Sequence, residues 1–237
     1  MRQALLAAAL VFLEDPTVRH LAPNLVEHVV VAMQGAPGNP RIQTPACGVL
    51  WRLMEGHMGR NLAVTKVASS GGIVAVSQAM RDLPCSGELQ RVAIGALRNA
   101  AQDNDHYKTI AVRAGGIPAT VTAMLRFPKD ARLQEEAIGA LTHLCDQIGR
   151  AQVCARLGGI EAVIGALKRH ASVGHVAELG CIILCMLCDD EMLRQQIIQS
   201  GALSIAKAVS RAGQKEAQHW GCELLRELSD GGGVAAN

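Results

Sequence analysis

Cys181, Cys185 and Cys188 fall at i, i+4 and i+7, so on a helix the three thiols share one face, and Cys185-Met186-Leu187-Cys188 has Cys-x-x-Cys spacing. Chemistry of that kind would be zinc or an iron–sulfur cluster, and either needs a fourth ligand such as Cys145 or Cys222 to converge in space. A straight helix seldom wraps three thiolates about one tetrahedral ion, so small residues on a core-facing stripe are the better reading. None of the eight histidines stands in a His-Glu-x-x-His motif or beside a matched carboxylate pair. Gly231-Gly232-Gly233 has neither a strand before it nor a helix after it, and no Gly-x-Ser-x-Gly elbow occurs. The expectation is a non-enzymatic protein with no metal and no cofactor.

Composition narrows the class further. An apolar fraction of 49% with 19% charged residues over 237 residues can bury a large core and is far from a disordered composition. The aromatics are Phe12, Trp51, Tyr107, Phe127 and Trp220, too few for a large β-sandwich or an aromatic-lined cofactor pocket. A net charge of +2 without a polybasic run argues against nucleic acid as partner. The eight cysteines follow no disulfide framework, which implies a reducing, intracellular and cytoplasmic setting. Met1-Arg2-Gln3 and the apolar run Ala4 to Leu13 outline a signal peptide, but Glu14-Asp15-Pro16 supplies no cleavage site and the run is too short to span a membrane.

Self-similarity decides the fold. Gly71-Gly72-Ile73, Gly115-Gly116-Ile117, Gly158-Gly159-Ile160 and Ser200-Gly201-Ala202-Leu203 recur, with Gly72, Gly116, Gly159 and Gly201 spaced by 44, 43 and 42 residues. About 20 residues after each comes a second match: Ala93-Ile94-Gly95-Ala96-Leu97, Ala137-Ile138-Gly139-Ala140-Leu141, Gly180 to Leu184 and Gly221 to Leu225. An earlier copy, Ala46-Cys47-Gly48-Val49-Leu50, follows a longer loop, Gln34 to Pro40, and lacks the glycine pair.

The apolar spacing inside a unit is helical. Residues Leu133, Ala137, Ala140, Leu141 and Leu144 fall at i, i+4, i+7, i+8 and i+11. A short helix over Asp105 to Ala114, capped by Asn104 or Asp105, ends at the glycines in a left-handed turn. Ile117 to Leu125 then forms the next helix, tolerating Pro118 in its first turn. Basic residues Arg81, Arg126, Lys168 with Arg169, and Arg211 close these second helices, where the macrodipole favours cations.

A short helix, a glycine turn and two longer helices in this period resemble the armadillo repeat family over nearly the whole chain. The HEAT repeat has a similar period but does not need the doubled glycine. The resemblance implies an all-α, right-handed α-solenoid of five units plus a partial N-terminal one, over residues 1–230, with 231–237 as a flexible tail. It also implies a concave groove, lined by the third helices, that binds protein segments.

Peptide-binding members of the importin α subtype carry an asparagine ladder on the third helices and a tryptophan one turn earlier. The asparagine place here holds Arg52, Asn99, His143, Met186 and Glu227, and the tryptophan place Gly48, Gly95, Gly139, Ile182 and Glu223. Only Asn99 conforms, so binding of basic localisation signals is not implied. One turn earlier stand Thr44, Arg91, Glu135, Glu178 and His219. With Glu223 and Glu227 they make the C-terminal half of the groove acidic, and Trp220 projects beside it. The candidate partner groove is therefore Arg52, Arg91, Asn99, Glu135, His143, Glu178, Met186, His219, Trp220, Glu223 and Glu227.

A stacked array must also close its ends. The last helix surrounds a narrow apolar stripe with polar residues, whereas Ala4 to Leu13 is apolar on every side. Leu6, Leu10 and Leu13 are thus expected as a docking face for another subunit or a second copy. The two functional expectations are a protein-binding scaffold working through its groove, and a permanent subunit of an assembly docked through its N-terminal end and convex faces.

Overall fold

The computed structural model describes residues 25–55, 60–102, 104–211 and 214–230, and among these residues the chain forms fourteen helices and no strand. It divides into two compact units, residues 1–123 and 124–237. In the first are α1 (Leu25–Gln34), α2 (Pro40–Leu53), α3 (Arg60–Ser69), α4 (Gly72–Asp82), α5 (Gly87–Ala101) and α6 (Asp105–Arg113). The division falls inside α7 (Gly116–Arg126). In the second are α8 (Ala131–Leu144), α9 (Ile148–Arg156), α10 (Gly159–Arg169), α11 (Gly174–Leu187), α12 (Glu191–Gln199), α13 (Ala202–Val209) and α14 (Lys215–Asp230). The triplet of one short and two longer helices that the spacing predicts is found in the repeats up to α11, while in the last the second helix, α13, is as short as the first. The expected N-terminal partial unit, with Leu6, Leu10 and Leu13, and the expected tail 231–237 lie outside the described residues.

Within each unit like packs on like. Third helices α2 and α5 pack together in the first unit, as do α8 with α11 and α11 with α14 in the second, while second helices pair as α1 with α4 and α10 with α13. Their facing residues, among them Leu50, Ile94, Leu97, Leu141, Ile183 and Leu184, are almost wholly buried. A repeat therefore buries its apolar surface partly within itself, second helix on third, and partly against the next repeat.

Local chemistry fixes where helices begin. The side chains of Asn39, Ser86, Asn104 and Asp130 accept from the backbone N–H of Arg41, Leu89, Tyr107 and Leu133, at 3.1, 3.4, 3.1 and 3.0 Å. Asp190 takes two such bonds, from Met192 and Leu193, and a third from Gln152, which together hold its carboxyl below the ordinary range. At the repeat turns Gly71, Gly115, Gly158 and Gly201 have φ of 77°, 84°, 84° and 87°. Gly201 is thus the partner of the first glycine of each pair. The sequence match to Gly72, Gly116 and Gly159 was shifted by one, because only the left-handed residue must be glycine and Ala202 serves in the next place.

A buried glutamine joins the second helix to the third in three successive repeats. Gln43 Nε2 donates to the carbonyls of Met33 and Ala36, Gln90 Nε2 to those of Met80 and Leu83, and Gln134 Nε2 to those of Met124 and Phe127, at 2.8–3.1 Å. Each amide satisfies carbonyls at the C-terminal end of a second helix and in the turn after it, where the helix ladder has stopped.

Candidate functional site

Each third helix starts at an equivalent residue: Asn39, Ser86, Asp130 and Val173 are N-caps, and Gln214 accepts from the N–H of Gln218 in the same way. Counting from these caps, Arg52, Asn99, His143, Met186 and Glu227 all stand at the thirteenth place, and Thr44, Arg91, Glu135, Glu178 and His219 at the fifth. The candidate residues on these helices are half-buried, apart from His219, which is exposed. A place that is neither core nor fully solvated on every repeat is a continuous face within each unit.

In the first unit this face is built around a residue that the repeat reading did not single out. Trp51, half-buried on α2, has the guanidinium of Arg52 at 5.4 Å and that of Arg91, from α5, at 5.8 Å from its ring. The ring lies on Gly95, where a Cβ would come within 2.6 Å of Trp51 Cε2. That accounts for at least one of the helix-interior glycines: it makes room for an aromatic from the preceding repeat. Arg52 also pairs with Glu55 at 2.9 Å, whereas Arg91 pairs with no carboxylate among the described residues. The signal for Trp51 was present in the sequence, as a tryptophan next to a groove position in a chain with five aromatics.

The second unit has the opposite charge. Glu135 and His143 lie on α8, Glu178 on α11 with His175 Nδ1 at 3.6 Å, and Glu223 and Glu227 on α14. Arg226 bridges both of the last two, at 2.8 and 3.1 Å, so the C-terminal end is less acidic than its glutamates alone imply. His219 and Trp220 meet edge to face, with centroids 5.4 Å apart.

The cysteine triplet stays on α11 and at its end. Cys181 and Cys188 are buried and Cys185 half-buried. Burial pushes all three thiols up to about 12, and the nearby Glu227 adds to the effect at Cys185 and Cys188. Cys188 caps α11 as Cys145 caps α8, the equivalence the repeat alignment gives. Cys145 hydrogen-bonds Cys154, which together with burial raises its thiol further. Among the described residues no group of three His, Cys, Asp or Glu side chains is placed to hold a metal ion. No helix among them is long and apolar enough to cross a membrane.

Such a stack of helix triplets has known counterparts. Residues 104–146 match the armadillo/beta-catenin-like repeat. An engineered protein of known structure superposes with a TM-score of 0.79 over 98% of this chain and 92% of its own, at 19% identity. A designed armadillo repeat protein gives 0.77 over 95% and 92%, at 14% identity. Another, in complex with the peptide (KR)4, gives 0.69 over 86% and 81%, at 16% identity. No curated protein matches the sequence. The fold is the all-α armadillo-type solenoid. The repeat over residues 104–146 matches the armadillo repeat, and the chain shares its fold with designed armadillo repeat proteins.

Proposed function

We propose that the chain is a non-enzymatic protein-binding scaffold that holds a segment of a partner along the concave face of its third helices. The observation that carries this reading is the row of mostly polar or charged side chains, half-buried except at His219, that recurs at the same two places on successive third helices. Such side chains are ordered by neighbours and still reachable, which is what a recognition surface requires. A designed armadillo repeat protein of the same fold in complex with (KR)4 supports the use of this architecture for a peptide. In the second unit Glu135, Glu178, Glu223 and Glu227, with Trp220 alongside, suit a basic or amphipathic segment whose binding weakens with salt.

The test is a pull-down with identification of co-purifying proteins, followed by affinity measurement for Trp220→Ala and for charge reversal at Glu223 and Glu227. A partner that dissociates, exchanges, and binds the variants at least about tenfold more weakly supports the groove. Unchanged affinity in both variants removes this end of it.

A second reading, a permanent subunit of a larger assembly, is favoured by a different observation. Among the described residues the large apolar side chains that remain exposed, Val31, Leu62, Val74, Leu125, Ile148, Val153, Leu157 and Met192, belong to first and second helices or their ends. Val74 lines an open groove of about 480 Å³ with Met33, Pro37, Ala75 and Ala79. Recovery of the chain only with an intact assembly, insensitive to third-helix substitutions, would select this reading.

A further inference from the structure

We infer that the third-helix face of the first unit binds an acidic peptide segment, with a carboxylate of the partner held by Arg91 and Arg52 and an adjoining apolar side chain laid against Trp51. This rests on the groove reading above and names the ligand chemistry of one part of that groove.

Charge is the first argument. On the third helices of this unit the half-buried positions carry Arg52, Arg91 and Arg98, while Glu55 lies just beyond the end of α2 and Glu88 is exposed at the start of α5. Their counterparts in the second unit carry three glutamates, Glu135, Glu178 and Glu227, with Glu223 one turn before Glu227 and Arg226 bridging that last pair. A segment suited to one face is unsuited to the other, since like charge at contact is strongly disfavoured. The second argument is the state of Arg91. Its guanidinium rests near the Trp51 ring, 5.8 Å from the centroid, and no carboxylate of the described chain neutralises it. A guanidinium presents a planar fork matched to a carboxylate, and stacking near an indole limits the orientations it would lose on binding. The third is Trp51 itself. Two neighbouring cations fix the indole electrostatically and Gly95 seats it sterically, so the ring is an ordered apolar platform beside two carboxylate donors. Asn99 lies two turns beyond Arg91 on α5, roughly 12 Å along the helix, a separation that an extended segment covers in about four residues.

Trp220→Phe leaves Trp51 as the only indole in the full chain, so its emission reports this site. The probe is a synthetic peptide of alternating glutamate and leucine. A saturable change in Trp51 emission is expected, weakened by salt and by about tenfold in Arg91→Ala, with part of the affinity kept in Arg91→Lys. Variants are compared at equal thermal midpoint, and Arg52→Gln serves where Arg91→Ala lowers it. No response to the acidic peptide, equal binding by the arginine variants, equal binding of a lysine–leucine peptide, or tighter binding of a single-stranded oligonucleotide each overturns the assignment. The lysine–leucine peptide is also added to Trp51→Phe, where Trp220 reports the second unit. A response there with Trp51 silent to the acidic peptide refutes this inference and leaves the groove reading standing. Silence at both indoles, with partner capture insensitive to third-helix substitutions, refutes the two together.

Discussion

The indole of Trp51 occupies the space that a side chain at Gly95 would fill: a Cβ there would lie 2.6 Å from Cε2 and 2.9 Å from Cδ2 and Nε1. A ring held between two repeats is not the loose end of a flexible side chain, so the indole and α5 would both have to move. Gly95→Ala should therefore destabilise the protein. Overpacking costs about 1–3 kcal/mol, against a helix-propensity gain of about 1 kcal/mol. Gly165, in α10, has nothing within 4 Å of its Cβ direction, and Gly165→Ala should gain about 0.5–1 kcal/mol. Urea unfolding of the two variants side by side checks the pair, and a Gly95→Ala protein as stable as the parent would show that the ring has room.

Gln134 is the next test. Its Nε2 satisfies two carbonyls, Met124 O at 2.9 Å and Phe127 O at 3.1 Å. Gln134→Leu keeps the volume and removes the donor, so those carbonyls lose a partner in a buried place, at a cost of about 1–3 kcal/mol. Gln218 stands at the equivalent place on α14 but is exposed, and Gln218→Leu should change stability by no more than about 0.5 kcal/mol. Equal effects at the two positions would contradict the structural role given to the buried amide.

Thiol labelling of the native protein should be selective. Cys85 and Cys222 are exposed and the other six are buried or half-buried. With the thiols of Cys47, Cys181, Cys185 and Cys188 at about 12, thiolate at neutral pH falls roughly a thousandfold below an ordinary cysteine near 9. Mass spectrometry after a short pulse of iodoacetamide should find Cys85 and Cys222 modified first. Early labelling of Cys185 and Cys188 would point to an activated pair instead.

Alkaline pH should destabilise the fold through the same groups. Cys47 is completely buried and its thiol is raised from 9.0 to about 12. Below pH 9 both folded and unfolded chains keep this proton and stability is unaffected by it. Between pH 9 and 12 the unfolded chain loses the proton while the folded one retains it, so stability falls by about 1.4 kcal/mol per pH unit for this thiol. Cys47→Ala should flatten that part of the curve, measured as urea midpoint against pH. A slope unchanged by the substitution would assign the loss to other groups.

Several elements were legible before any coordinates. Of the two cap residues that the sequence offered for the helix at 105, Asn104 is the one whose side chain accepts the bond, and the repeat period follows from the glycine turns. The candidate groove residues shared one register because a third helix has one phase relative to its cap. What resisted was pairing between repeats. The shifted match at Gly201 arose because two adjacent glycines cannot be ranked by type alone, whereas φ separates them. Trp51 was passed over because its place, twelve residues after the cap, holds Arg98, Thr142, Cys185 and Arg226 in the other repeats and carries no recurring chemistry.

The sequence by itself determined the helical class, the repeat period, the helix start at Asn104 and the third-helix register, since each depends on contacts within a few residues or on periodicity along one chain segment. Tertiary structure alone decided which side chains meet: the indole of Trp51 on Gly95 with Arg91 beside it, the amide of Gln134 on one carbonyl of the preceding helix and one of the turn after it, and Arg226 drawn onto both Glu223 and Glu227. The first two contacts depend on the rotation and separation of neighbouring helices, and all three on which rotamer each long side chain adopts. Residue type and spacing along a single helix leave those quantities open.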